Sequence, residues 1–168
     1  MKNIIIFLFT CVLAFSATAQ TLPIPLNCKL STKKDYQEQE NNVLKAIEWL
    51  QLTPVDAEKD LRELAQSFIV NWIMGTPSVS IELNEQLCGA FTENPTILMT
   101  YLNGCTKYAI ENKQKKFLFE THYSGVNHVL AFYKTNAGKI TANETLDNYL
   151  SMQADNTLEE HLKNVFKK

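Results

Sequence analysis

The residues able to do more than pack are three histidines, three cysteines beyond residue 19 and a scatter of acids. Imidazole moves protons or binds metal near neutral pH. His122 and His128 are six positions apart, which on one helix sets them about 120° from each other, so both cannot clamp a single ion. His161 reaches either one only through the tertiary fold. All three therefore read as ordinary polar or partly buried histidines. Glu120, Ser124 and His128 recur every fourth residue and share a helical face. Their ends would lie about 12 Å apart, with the serine between acid and imidazole, whereas a hydrolytic triad needs the imidazole in the middle. A local Ser124–His128 hydrogen bond or plain surface placement is the expected outcome.

Cysteine chemistry fares no better. No CxxC pair is present, and nothing local to Cys28, Cys88 or Cys105 would depress a thiol pKa. Three cysteines allow one internal bridge. Cys88–Cys105 is the favoured pair, closing a loop worth about 3 kcal/mol in the chain-entropy account. The alternative is that Cys88 and Cys105 are two buried thiols. Cys28 is the expected free or intermolecular cysteine. Asp56, Glu58, Asp60 and Glu63 suit the positive end of a helix dipole, and glycosidic chemistry would need a defined carboxylate separation. There is no GxGxxG, no phosphate loop and no HExxH. The sequence thus assigns no catalytic, cofactor-binding or metal-ligating residue and implies no cofactor. Lys113, Lys115 and Lys116 read as a solvated helix end, with a phosphate or acidic-partner patch as the alternative. Trp49, Phe68, Trp72, Tyr101, Tyr108, Phe132 and Tyr133 read as core, with a greasy ligand cavity as the alternative.

The 168 residues open on MKNIIIFLFTCVLAFSATAQ. Lys2, the apolar run from Ile4 to Phe15 and the small residues Ala17, Thr18 and Ala19 have the order of a secretory signal peptide spanning 1–19. The run is shorter than the roughly 20 residues a membrane-spanning helix needs, so no stable anchor is expected after processing. Residues 20–168 then form a single helical domain of ordinary size. The full chain has 16 basic and 18 acidic residues, a net charge of −2, and loss of Lys2 with the leader would make it more acidic. That balance excludes a strongly basic nucleic-acid binder. The 45% hydrophobic composition is enough for a core without a metal or disulfide mesh.

The elements that must position these residues are helices. Thr32 with Asp35 resembles a capping box, followed by Tyr36, Val43, Ile47 and Leu50 on one face with Trp49 at its flank. Thr53 and Pro54 read as cap and first turn of a second helix, whose stripe is Leu61, Leu64, Ala65, Phe68, Ile69 and Trp72. The short interval between them favours an antiparallel hairpin. Gly75, Pro77 and the alternating SVSIEL break the pattern into an irregular crossover, with a short strand or helical turn as alternatives. Asn94 and Pro95 start a central helix running to Ile110, and Gly104 inside it marks a close crossing or a bend. A further helix carries Val126, Val129, Leu130 and Tyr133, with Gly125 as a local weakness or a close-contact point and Gly138 as a stop. Thr141 with Glu144 and Asn156 with Glu159 would cap two terminal helices. The fold class is all-α, an irregular bundle of five or six helices with an irregular crossover.

The ATAQ end of the leader, the helical pattern and the segment LCGAFTENPTILMTYLNGCTKYAIEN (87–112) resemble an uncharacterised secreted all-helical family of Bacteroidetes-type bacteria. The likeness covers most of the chain after the leader, and ENPTILMTYLNG (93–104) is its most distinctive part. It implies export and a helical fold, and brings no catalytic residues with it. The expected function is that of a non-enzymatic exported protein, periplasmic or extracellular, interacting with an envelope or extracellular partner. A periplasmic carrier of a small apolar ligand and a cryptic hydrolase are the alternatives.

Overall fold

The computed structural model describes residues 24–25, 28–80, 82–116 and 118–167. The signal-peptide reading of 1–19 lies outside them. Among the described residues seven α-helices run in order: α1 (Lys33–Leu52), α2 (Lys59–Gly75), α3 (Glu85–Cys88), α4 (Pro95–Glu111), α5 (Phe119–Thr135), α6 (Glu144–Ala154) and α7 (Leu158–Phe166). The all-α class follows the hydrophobic periodicity, but five or six helices must be corrected to seven. The extra one comes from the crossover, where the Asn84 side chain accepts from the Leu87 amide and starts the four-residue α3. A 3₁₀ turn, Gly89–Phe91, continues it and buries Phe91. The SVSIEL alternation produces no strand among the described residues, only an isolated bridge between Ser80 and Lys116.

Helix α1 begins as its composition dictates. Thr32 Oγ1 accepts from the Asp35 amide, and Asp35 returns its carboxylate to the Thr32 and Ser31 amides at 2.9 and 3.0 Å, satisfying donors that a helix start leaves unpaired. Helix α2 returns antiparallel, as contacts at both ends show. Near the start of α1 the Trp72 indole N–H donates to the Tyr36 carbonyl at 2.8 Å, and the Tyr36 phenol fills the space over Gly75. At the other end Arg62 Nη1 donates to the carbonyls of Leu50 and Thr53 at 3.1 and 2.7 Å.

The start of α2 differs from the sequence reading. Thr53 ends α1, with its amide donating to the Trp49 carbonyl, and Pro54 to Ala57 form a turn instead of a first helical turn. The helix starts only after Glu58, which sits in the left-handed region at φ 50°. Two tertiary bonds hold the turn: the Val55 amide donates to Asn136 Oδ1 at 2.8 Å, and Lys139 pairs with Asp56 at 2.6 Å. Leu64 is not part of the buried stripe. It is 57% exposed, whereas Ala65, Phe68, Ile69 and Trp72 face inward.

Helix α4 is the central element, burying residues around most of its circumference. Asn94 caps it by accepting from the Thr96 and Ile97 amides, with Pro95 in the first turn, where a missing N–H costs nothing. Its crossing with α5 rests on two glycines. A β-carbon on Gly104 would stand 2.4 Å from His128 Cβ and 3.0 Å from Gly125 Cα. One on Gly125 would stand 2.5 Å from Cys105 Sγ. The close-crossing alternative for Gly104 is therefore the one realised. The last two helices close the core with Leu146, Leu158 and Leu162, but their caps differ from expectation. Asn143, not Thr141, caps α6, and α7 starts from Thr157 with no side-chain cap while Asn156 takes a left-handed φ of 58°.

Candidate functional site

The fold separates the three histidines. His122 is 1% exposed, and its Nδ1 lies 2.5 Å from the Tyr101 hydroxyl. Burial pushes the Tyr101 phenol well above its ordinary value and pulls His122 below its own, so both are neutral at physiological pH. A substrate cannot touch either group in this arrangement. His161 meets Tyr149 edge-on, whereas the His122 ring packs against Phe166 of the same helix α7. His128 is partly exposed and faces a cleft described below. Among the described residues no three His, Cys, Asp or Glu side chains are arranged to hold a metal ion. Glu120, Ser124 and His128 do lie on one continuous helix, but no hydrogen bond joins Ser124 to His128 among the described residues.

Cys28, Cys88 and Cys105 are free thiols. The favoured Cys88–Cys105 bridge is thus not formed, and the buried-thiol alternative describes the structure. Both are core side chains, at 3% and 0% exposure. Burial pushes the Cys105 thiol far up, only partly offset by the Tyr101 hydroxyl beside it, which is the reverse of what a nucleophilic cysteine needs.

A different group of residues forms the candidate site. The end of α1, the first half of α2, the start of α4 and the end of α5 enclose a half-open cleft of about 290 Å³. Leu50, Val55, Met99 and Phe132 supply its apolar wall. The polar wall is built on fixed pairs. Gln66 and Asn103 exchange two amide hydrogen bonds, at 3.0 and 3.3 Å, bridging α2 and α4. Gln51 Nε2 donates to the His128 carbonyl at 3.2 Å, and its buried Oε1 has no hydrogen-bond partner among the described residues. Thr100 turns its hydroxyl onto the Thr96 carbonyl at 2.7 Å.

Arg62 and His128 set the electrostatics of the cleft. The Arg62 guanidinium lies over the Phe132 ring at 5.6 Å, and burial lowers its pKa from the ordinary value without discharging it. No carboxylate pairs with it among the described residues. Burial, with Lys107 nearby, lowers His128 to about 4, leaving it neutral. Lys59 and Glu63 stand exposed at the rim with opposite signs. The uncompensated charge within the cleft is therefore the guanidinium.

Sequence reasoning missed this site because its residues come from four helices and match no motif. One compositional signal did mark it: Arg62 is the only arginine in a chain with fifteen lysines. The lysine patch is more diffuse. Lys113 and Lys115 join Lys33 around a polar groove of about 460 Å³, but all three are exposed and Glu40 shares the groove. Lys116 is also exposed and lies at the bridge to Ser80.

The chain matches no family model, no curated protein and no solved structure. The cleft must therefore be read from its own geometry.

Proposed function

We propose that this chain is a non-enzymatic exported helical protein that engages an envelope or extracellular partner through the cleft between α1, α2, α4 and α5. The observation that carries the reading is the construction of the polar wall. Gln66 and Asn103 satisfy each other across two helices, so these groups hold their positions before anything binds. Preorganisation of this kind spares a complex the cost of ordering side chains. The leader pattern of residues 1–19 supports export, and the likeness of residues 87–112 to a secreted family points the same way.

Carriage of a small ligand is the second reading, favoured by the apolar wall of Leu50, Val55, Met99 and Phe132. The volume of about 290 Å³ falls just below the roughly 300–1,000 Å³ common for small-molecule pockets. The cleft is also half-open and contains a cation, which suits a polar-headed cargo better than a wholly apolar one. No helix among the described residues is long and apolar enough to cross a membrane.

Native mass spectrometry on protein purified from its producing cells, before and after denaturing extraction, separates the two readings by the mass of what is retained. A Met99→Trp variant fills the cleft from its wall. Loss of the retained species in this variant, with the circular dichroism unchanged, is the expected result. Retention at the wild-type level would rule out the cleft as the site of engagement.

A further inference from the structure

Arg62 has an obvious structural use, since it ties off the carbonyl end of α1. That use involves one nitrogen only. Both bonds, to Leu50 O and Thr53 O, come from Nη1. Among the described residues Nε and Nη2 have no hydrogen-bond partner. A point charge on a lysine stem could meet two carbonyls, so the capping role alone gives no reason to depart from the lysine used at every other cationic position. The planar fork differs from lysine in offering a second edge, Nε with Nη2, that matches the two oxygens of a carboxylate.

The surroundings complete the case. Among the described residues no acid pairs with the guanidinium, and burial lowers its pKa. The guanidinium lies over the Phe132 ring at 5.6 Å, a cation–π contact that restrains it. Leu50, Val55 and Met99 line the same cleft with apolar surface. Thr96 and Asn103 add polar groups on the α4 side. We propose that the cleft is a carboxylate receptor, in which the Nε–Nη2 edge of Arg62 takes the carboxylate and the Leu50–Val55–Met99–Phe132 wall takes a short apolar or aromatic body attached to it. This rests on the reading of the cleft as the binding site and names the chemistry it selects. Such a group is found on a free small organic acid and at the C-terminus of a peptide ending in an apolar residue.

The test uses three probes on the folded, isotope-labelled chain from Gln20 onward, followed by amide and arginine side-chain NMR: 3-phenylpropionate, its neutral amide, and a tetrapeptide ending in free phenylalanine. The expected result is saturable shifts at Arg62, Asn103 and Met99 with at least one of the two acids, and binding at least tenfold weaker for the amide. Arg62→Lys should retain the fold and the charge but lose the preference for acid over amide. Met99→Trp, which leaves Arg62 in place, should abolish binding of every probe. Preferential binding of the tetrapeptide identifies a peptide terminus as the source, and preferential binding of phenylpropionate identifies a free acid. If acid and amide bind equally, the carboxylate assignment is overturned while the cleft stands as a binding site. If neither acid shifts a cleft resonance, the carboxylate assignment is likewise overturned, and the wider reading is judged by retention of the native species in Met99→Trp.

Discussion

Replacing Gly104 by alanine puts one methyl group into the tightest contact of the fold. In isolation the change favours a helix by about 1 kcal/mol. The structure opposes it. The new carbon would meet His128 Cβ at 2.4 Å and Gly125 Cα at 3.0 Å, whereas carbon atoms in contact prefer about 3.5–4.0 Å. Neither atom is the far end of a flexible side chain, so α4 and α5 must separate. Overpacking of this kind costs roughly 1–3 kcal/mol, and the rigid neighbours place it at the upper end. The net expectation is a loss of about 2 kcal/mol, which for a chain of this size lowers Tm by about 4–8 °C. Gly89→Ala is the matched control. Gly89 has a helical φ of −53° and nothing within 4 Å of an added carbon, so alanine there should gain roughly 0.4–1 kcal/mol through the unfolded chain. Urea and thermal melts of both variants, followed by far-ultraviolet circular dichroism, decide the matter. A Gly104→Ala protein as stable as wild type would refute the close-crossing argument.

Two further outcomes are open to measurement. His128 is lowered from 6.5 to about 4 by burial and Lys107; between those values the unfolded chain binds the proton and the folded chain does not. Stability is therefore fully present above pH 6.5 and falls as pH drops toward 4, by about 2 kcal/mol after allowance for partial exposure. Lys59, Arg62 and Glu63 line the same cleft as His128, and buried His122, also lowered, contributes in the same direction. Urea midpoints across this range should fall less steeply for His128→Gln, and an unchanged slope would contradict the assignment. Thiol titration of the chain from Gln20 should find half-buried Cys28 reacting first in the native state and all three cysteines after unfolding without reductant. Two thiols that stay silent in denaturant would mean that Cys88 and Cys105 are bridged.

Helix positions were legible where a local device set them. Thr32–Asp35 and Asn94–Pro95 form their caps as the spacing indicates, because both ends of each interaction lie within one turn. The start of α2 was not legible. Thr53–Pro54 has good capping chemistry, but Asn136 and Arg62 bind the same backbone from 81 and 9 residues away, and tertiary bonds overrode the local preference. Leu64 was misplaced for a related reason: the periodicity of α2 is broad, and only its partner α1 determines which flank is covered. The capping signals at Thr141 and Asn156 lost to Asn143 and to a left-handed turn within two residues. Of the candidate site, His128 was singled out for its chemistry and Phe132 as a cavity or core aromatic. Their neighbours could not be read from spacing, because Gln51, Arg62 and Asn103 meet only when four helices assemble.

The side chain of Asn136 stands behind the apolar wall of the cleft and ties two of its members together. Its oxygen holds the Val55 amide at 2.8 Å and its nitrogen holds the Phe132 carbonyl at 2.9 Å, so a single carboxamide couples the turn after α1 to the end of α5. It is 1% exposed and beyond the reach of any guest, which makes the spacing of these two residues a property of the empty protein. Hydrogen exchange at the Val55 amide reports directly how firmly that spacing is kept.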